Sequence, residues 1–120
     1  MKPSLPVQIE NLLEKVKESI ATENYRFSWH AIQRGEERLI SFQDTLYVLV
    51  NGVHEEKKSS FDSKNRTWKY AIRGKTTDGF DTRVIIAFEK EMVIITVIRL
   101  ITVEKKFRKR PKVIKKRRKL

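Results

Sequence analysis

A chain of 120 residues suits one small domain with a single core. The absence of cysteine excludes a disulfide framework and a thiolate metal site, and two histidines with scattered carboxylates make no recognisable metal set. The net charge of +12 resides almost wholly in residues 105–120, which hold 11 lysines and arginines and no acid. The remainder carries 16 basic and 15 acidic side chains, so bulk charge does not mark the body as nucleic-acid-binding.

The opening "MKPSLPVQIENLLEKVKES" has prolines and charges where a signal peptide needs an apolar core. Ile9, Leu12, Leu13, Val16 and Ile20 repeat at three and four residues, predicting an amphipathic helix from about residue 6 to 22 with Pro6 in its first turn. Asn24 and Tyr25 interrupt that pattern. Ser28 is a natural N-cap for a second helix to about Leu39, with Ala31, Gly35 and Leu39 as its inward stripe and Ile32 beside it. Gly35 is unfavourable in a helix, which points to close packing against a neighbour. Ser41 with Asp44 forms an acidic variant of the capping box and starts a third helix, with Phe42, Leu46, Leu49 and Val50 on one face and Asn51-Gly52 as its stop.

From Val53 the period changes to two. "VHEEKKSSF" reads as a polar edge strand, "SKNR" as a turn, and "TWKYAIRGK", "TRVIIAFE" and "MVIITVIRL" as strands joined by Asp78-Gly79 and Glu89-Lys90-Glu91. Turns this short predict antiparallel neighbours. The expected fold is α+β: three N-terminal helices followed by a four-stranded antiparallel meander, in one domain of residues 1–104 with a basic tail at 105–120. The longest apolar stretch, "MVIITVIRLITV", has 12 residues and contains an arginine, too short to span a bilayer, so no membrane partner is expected. Cysteine-free composition fits the cytoplasm.

His30, Arg34 and Arg38 stand four residues apart on the second helix and therefore line up at the boundary between core and solvent. A neutral imidazole can take a proton, and two guanidiniums can hold a phosphate in bidentate fashion. The spacing alone is better explained by a structural histidine and surface ion pairs with Glu36 and Glu37. Strand alternation gives a second basic surface: Lys69 and Arg73 share a face, which Arg83 joins if the hairpin register aligns them. Such cations suit an RNA backbone, and they equally suit the ordinary wet side of a sheet. His54 is the other acid–base candidate, set among glutamates.

"WHAIQRGEERLISFQDTLYVLVNGVHEE", together with "TRVIIAFEKEMVIITVI", resembles the domain-of-unknown-function family numbered 4258. The matching positions are His30-Ala31, Arg34, Arg38, Ile40-Ser41, Gly52 and the strand Val93 to Val97 with its Thr96, covering roughly residues 27–99. Leu39 occupies a position where that family commonly has glycine. The family is similar to the RelE, MqsR and BrnT-type toxins, small endoribonucleases that need no metal and are countered by an antitoxin. The resemblance implies a toxin-like architecture acting on RNA or the ribosome without a cofactor. His30, Arg34, Arg38 and Arg83 would be catalytic, with Lys69 and Arg73 along the backbone.

The tail adds Lys105, Lys106, Arg108, Lys109, Arg110, Lys115, Lys116, Arg117 and Arg118, a run that binds polyanions without sequence preference. Its "KFRKRPK" and "KKRRK" runs resemble nuclear-import signals, relevant only inside a eukaryotic cell. The alternatives are a non-catalytic nucleic-acid or ribosome-binding module and a protein-interaction domain that uses the tail.

Overall fold

The computed structural model describes residues 7–100, so Pro6 and the basic residues of 105–120 lie outside the described residues. Helix α1 spans Leu12–Ala21 and begins later than the periodicity from residue 6 predicts. Its Leu12 and Val16 are buried, with Ile9, Leu13 and Ile20 packed around them.

The expected order of three helices and then four strands is overturned at the next step. Strand β1, Tyr25–Phe27, lies between α1 and helix α2, Trp29–Arg38. It pairs in parallel with the last strand, β6, Met92–Arg99, with Tyr25 opposite Met92 and Phe27 opposite Ile94. Helix α3, Phe42–Asn51, follows, and then the expected long polar strand appears in two pieces. These are β2, Val53–His54, and β3, Ser60–Asp62, separated by a 3-10 turn at Glu56–Lys58. Both pair antiparallel along one edge of β4, Thr67–Lys75. Strand β5, Asp81–Phe88, joins β4 to β6. The result is an α+β domain with a six-stranded mixed sheet in the order β1-β6-β5-β4-β2, with β3 also on β4. It is not a four-stranded antiparallel meander, and the toxin-like architecture expected with the meander falls with it.

The physical reasons are local. Three residues are too few to show an alternation, and the partner of β1 lies more than sixty residues away. "EKK" carries the chain into a tight turn, so the edge strand cannot run straight through.

Alternation along β4, β5 and β6 sorts the sheet into two faces. Tyr70, Ile72, Val84, Ile86, Met92, Ile94 and Val97 are buried with Leu12, Val16, Ala31, Val48 and Leu49, so the helices cover this face. A register shift at Ile85/Ile86 places Ile85 opposite Thr96 and Ile86 opposite Ile94, a bulge that restores the facing of both halves. Helix α3 is rotated from its expected face: Thr45, Val48 and Leu49 are buried, whereas Phe42 and Val50 are exposed.

Two glycines sit where a side chain would run into backbone oxygens. A methyl on Gly52 would lie 2.6 Å from the carbonyl oxygens of both Arg73 and Val48. One on Gly35 would lie 2.8 Å from the oxygen of Ile40, so the crowding comes from the turn that ends α2, while the neighbouring strand, at Val97, is 3.9 Å away. No helix of the described residues is long and apolar enough to cross a membrane.

Candidate functional site

Helix α2 is fastened to the edge of β6 at both ends. The Ser28 hydroxyl accepts from the Ala31 amide at 3.0 Å, as an N-cap does, and donates to the Ile95 carbonyl at 2.9 Å. Its amide donates to Ile94 at 2.9 Å, extending the β1–β6 ladder by one bond. At the other end an Arg38 guanidinium N–H reaches the Val97 carbonyl at 2.7 Å. Ile40 N–H then bonds to Gly35 at 2.8 Å and Leu39 N–H to Glu36 at 3.4 Å, a Schellman turn with Leu39 at φ 57° and ψ 43°. Glycine tolerates that left-handed geometry without steric cost, which gives a physical reason for its use at this position.

With Ala31 and Gly35 facing the sheet, a rotation of about 100° per residue puts Ile32 and Leu39 on one side of α2 and His30, Arg34 and Arg38 on the other. The first side borders a groove of about 550 Å³ shared with Ile40 and Phe42 at the start of α3. The second side carries the expected site. His30 is exposed and has no side-chain partner among the described residues. Arg34 is half-buried and bonded to Glu37 at 2.8 Å, a pair three residues apart on the helix. Arg38, held by Val97, lines a cavity at the C-terminal end of α2.

The second basic surface is in a different electrostatic state. Arg73 and Arg83 are direct cross-strand partners, as the like-with-like register requires. Arg83 grips Glu55 with two bonds, Nε to Oε1 at 2.6 Å and the second fork at 3.2 Å, and both side chains are about five-sixths covered. Arg73 grips Asp81 through both forks and touches Glu55 at 3.5 Å. Lys69 pairs with Asp62 at 3.7 Å, and Arg26 pairs with Glu89 and Glu91 on the same side of the sheet. The Arg83 hydrogen bond holds the Glu55 carboxyl below the ordinary carboxylate range, against the opposing effect of burial. The Arg73 hydrogen bond does the same for Asp81.

The structure thus places His30, Arg34 and Arg38 on one flank and Lys69, Arg73 and Arg83 on one sheet face. It adds Glu55, Asp62 and Asp81, which the sequence reading missed. Asp81 was legible by alternation, two residues before Arg83 on the same face. Glu55 was hidden by the assumed straight edge strand. His54 lies one residue earlier and faces the core side, with Nε2 3.0 Å from Ser59 Oγ and its ring edge-on to Tyr70. Phe80 and Arg99 were also missed: the Arg99 guanidinium stands 4.3 Å from the Phe80 ring centre and donates to the Arg38 carbonyl at 2.7 Å. Among the described residues no three histidine or carboxylate side chains converge as metal ligands.

A model of the domain-of-unknown-function family DUF4258 matches residues 27–99, from the end of β1 through β6. No curated protein and no solved structure matches the chain.

Proposed function

The chain belongs to the family DUF4258, and on that premise we propose that it is a toxin-like endoribonuclease that works without a metal. The observation that carries this reading is the flank of α2, where an exposed histidine with no side-chain partner precedes two arginines by one and two turns. In this reading Arg38 holds a phosphodiester, joined by Arg34 when it exchanges Glu37 for the phosphate. His30 takes the proton of the neighbouring 2′-hydroxyl as its oxygen attacks phosphorus. The P–O5′ bond then breaks, leaving a cyclic 2′,3′-phosphate, and water supplies a proton to the departing 5′ oxygen. Arg83 contributes only if it leaves Glu55, and Lys69 and Arg73 contact RNA only by exchanging carboxylates for phosphates. An antitoxin protein would be the natural partner.

Purified protein is expected to cleave RNA in EDTA. His30→Ala should lower the rate by about a hundredfold, the usual contribution of a general base, with no change in melting temperature. Arg34→Ala should act in the same direction. Undiminished cleavage in both variants would remove the assignment.

A second reading, a non-catalytic nucleic-acid or ribosome-binding module in which the helix arginines are structural, draws support from the Arg34–Glu37 pair and the Arg38–Val97 bond. In that case RNA is bound but not cleaved, and deletion of residues 105–120 abolishes the affinity.

A further inference from the structure

Trp29, the first residue of α2, is 71% exposed. Among the described residues its ring meets no other aromatic ring and no cation, and its indole N–H has no bond. Tryptophan is highly buried on average, so a ring left mostly in water is the informative case. Nor is it a core residue displaced from its place. At 100° per residue Trp29 points about 140° away from the mean direction of Ala31 and Gly35, which face the sheet. The backbone that carries it is pinned. Ser28, immediately before it, bonds through its hydroxyl to the Ala31 amide and the Ile95 carbonyl, and through its own amide to Ile94.

Trp29 opens a second stripe on α2. Gln33 follows it by four residues, exposed and with no side-chain partner among the described residues, and Glu37 follows by eight. Each member of this stripe immediately precedes a member of the other: Trp29 before His30, Gln33 before Arg34, Glu37 before Arg38. The two stripes therefore run side by side, about 100° apart. One carries the imidazole and the guanidiniums. The other carries an aromatic ring, an amide and a carboxylate already turned to Arg34. Helical side chains lean toward the N-terminus, so the indole and the imidazole overhang the same first turn.

A polynucleotide has the same two-part character, with a charged backbone beside flat bases whose faces are apolar and whose edges are polar. Arg34 and Arg38 address the backbone alone. An indole in water stacks on any base, and an amide, which both donates and accepts, bonds to any base edge. We infer that Trp29 is the stacking platform for an unpaired base, that of the nucleotide whose 2′-hydroxyl faces His30, with Gln33 at the edge of that base. A base inside a duplex offers the ring no open face, so the platform selects single-stranded over paired RNA. The inference rests on the RNA reading above and adds to it the group that sets the nucleotide against His30.

A short labelled RNA carrying 2′-O-methyl groups throughout binds without being cleaved. It is titrated into the full chain, alone and annealed to its complement, at one fixed salt concentration. The chain has two tryptophans, so the single strand should quench their emission, and the part of the quench that disappears in Trp29→Phe belongs to Trp29. By fluorescence anisotropy Trp29→Ala should bind the single strand about tenfold more weakly, the usual value of one base–aromatic stack, while Trp29→Phe stays close to the unaltered chain. Affinity for the duplex should be the same in all three proteins, a separation that a merely structural role would not produce. Melting temperatures confirm that both variants fold. Binding without a quench, an equal weakening of single strand and duplex, or undiminished single-strand affinity in Trp29→Ala overturns the platform and leaves the RNA reading standing. If neither form of the RNA binds, the RNA reading fails and this inference falls with it.

Discussion

On the open sheet face Arg26, Lys69, Arg73 and Arg83 each meet a carboxylate, whereas on and beyond α2 Arg34 alone of the site meets one, Arg38 and Arg99 rest on carbonyl oxygens, and His30 has no side-chain partner among the described residues. Lys69, Arg73 and Arg83 in the one and Arg34 and Arg38 in the other read as basic in the sequence. The difference lies in what neutralises them. A carboxylate cancels the charge that a phosphate would seek, while a carbonyl fixes the guanidinium and leaves its charge intact. A count of cations therefore says less about a nucleic-acid surface than the identity of their partners.

The comparison can be broken in three ways. The largest expected effect is on Glu55. Its Ala variant leaves the well-covered Arg83 unpaired and should cost about 2 kcal/mol, between the values for exposed and fully buried pairs. For a domain of this size that lowers the melting temperature by roughly 10 °C. Truncating Glu37, the exposed partner of Arg34, should cost about 0.5 kcal/mol or less. Equal losses in the two variants would make the sheet network an ordinary solvated surface. If RNA is bound, Glu55→Ala should also steepen its salt dependence, since a freed guanidinium adds about one phosphate contact.

Acid should act next. Glu55 and Asp81 titrate lower in the folded chain than in the unfolded one, so the unfolded state binds more protons as pH falls through the carboxylate range. Their stabilisation is complete above the unfolded values and is lost as pH drops through the folded ones. Chemical denaturation at a series of pH values should show stability falling from about pH 5 downward. A Glu55→Gln, Asp81→Asn double variant should flatten that slope, and an unchanged slope would show that other carboxylates carry it.

The smallest effect concerns the end of α2. Leu39 is 83% exposed and left-handed, so Leu39→Gly relieves backbone strain with little loss of burial. The greater freedom of glycine in the unfolded chain offsets part of the gain, leaving about 0.5 kcal/mol of stabilisation, readable as a rise of a few degrees in melting temperature. A fall instead would show that the Leu39 side chain packs in the groove beside Phe42.

What was legible in the sequence follows from distance along the chain. Ser28 and Ser41 announced α2 and α3 because an N-cap acts within three residues, and both serines cap as read, although the Asp44 carboxylate meets Thr77 rather than closing the box on the Ser41 amide. The alternation put Lys69 and Arg73 on one face and left Arg83 to the hairpin register, which sets it opposite Arg73. β1 was not legible, since its three residues gain strand character only from β6. The flank of α2 was legible from helical spacing alone. The neutralisation of the sheet cations was not, because Glu55 and Asp62 arrive from a broken edge strand whose break the alternation did not reveal. The cavity beyond Arg38 was hidden for a similar reason, since it joins the end of one helix, a hairpin loop and the last residue of β6.

The two fastenings of α2 also decide where the sheet can grow. Beyond Phe27 the outer edge of β6 has no strand beside it among the described residues, and its carbonyls at Ile95 and Val97 would invite one. The Ser28 hydroxyl and the Arg38 guanidinium take those acceptors, so the helix closes the seam as a further strand would, without offering a new edge of its own. A chain that added itself to this sheet would have to do so along β1 or along the broken β2–β3 border, and would leave the flank bearing His30 uncovered.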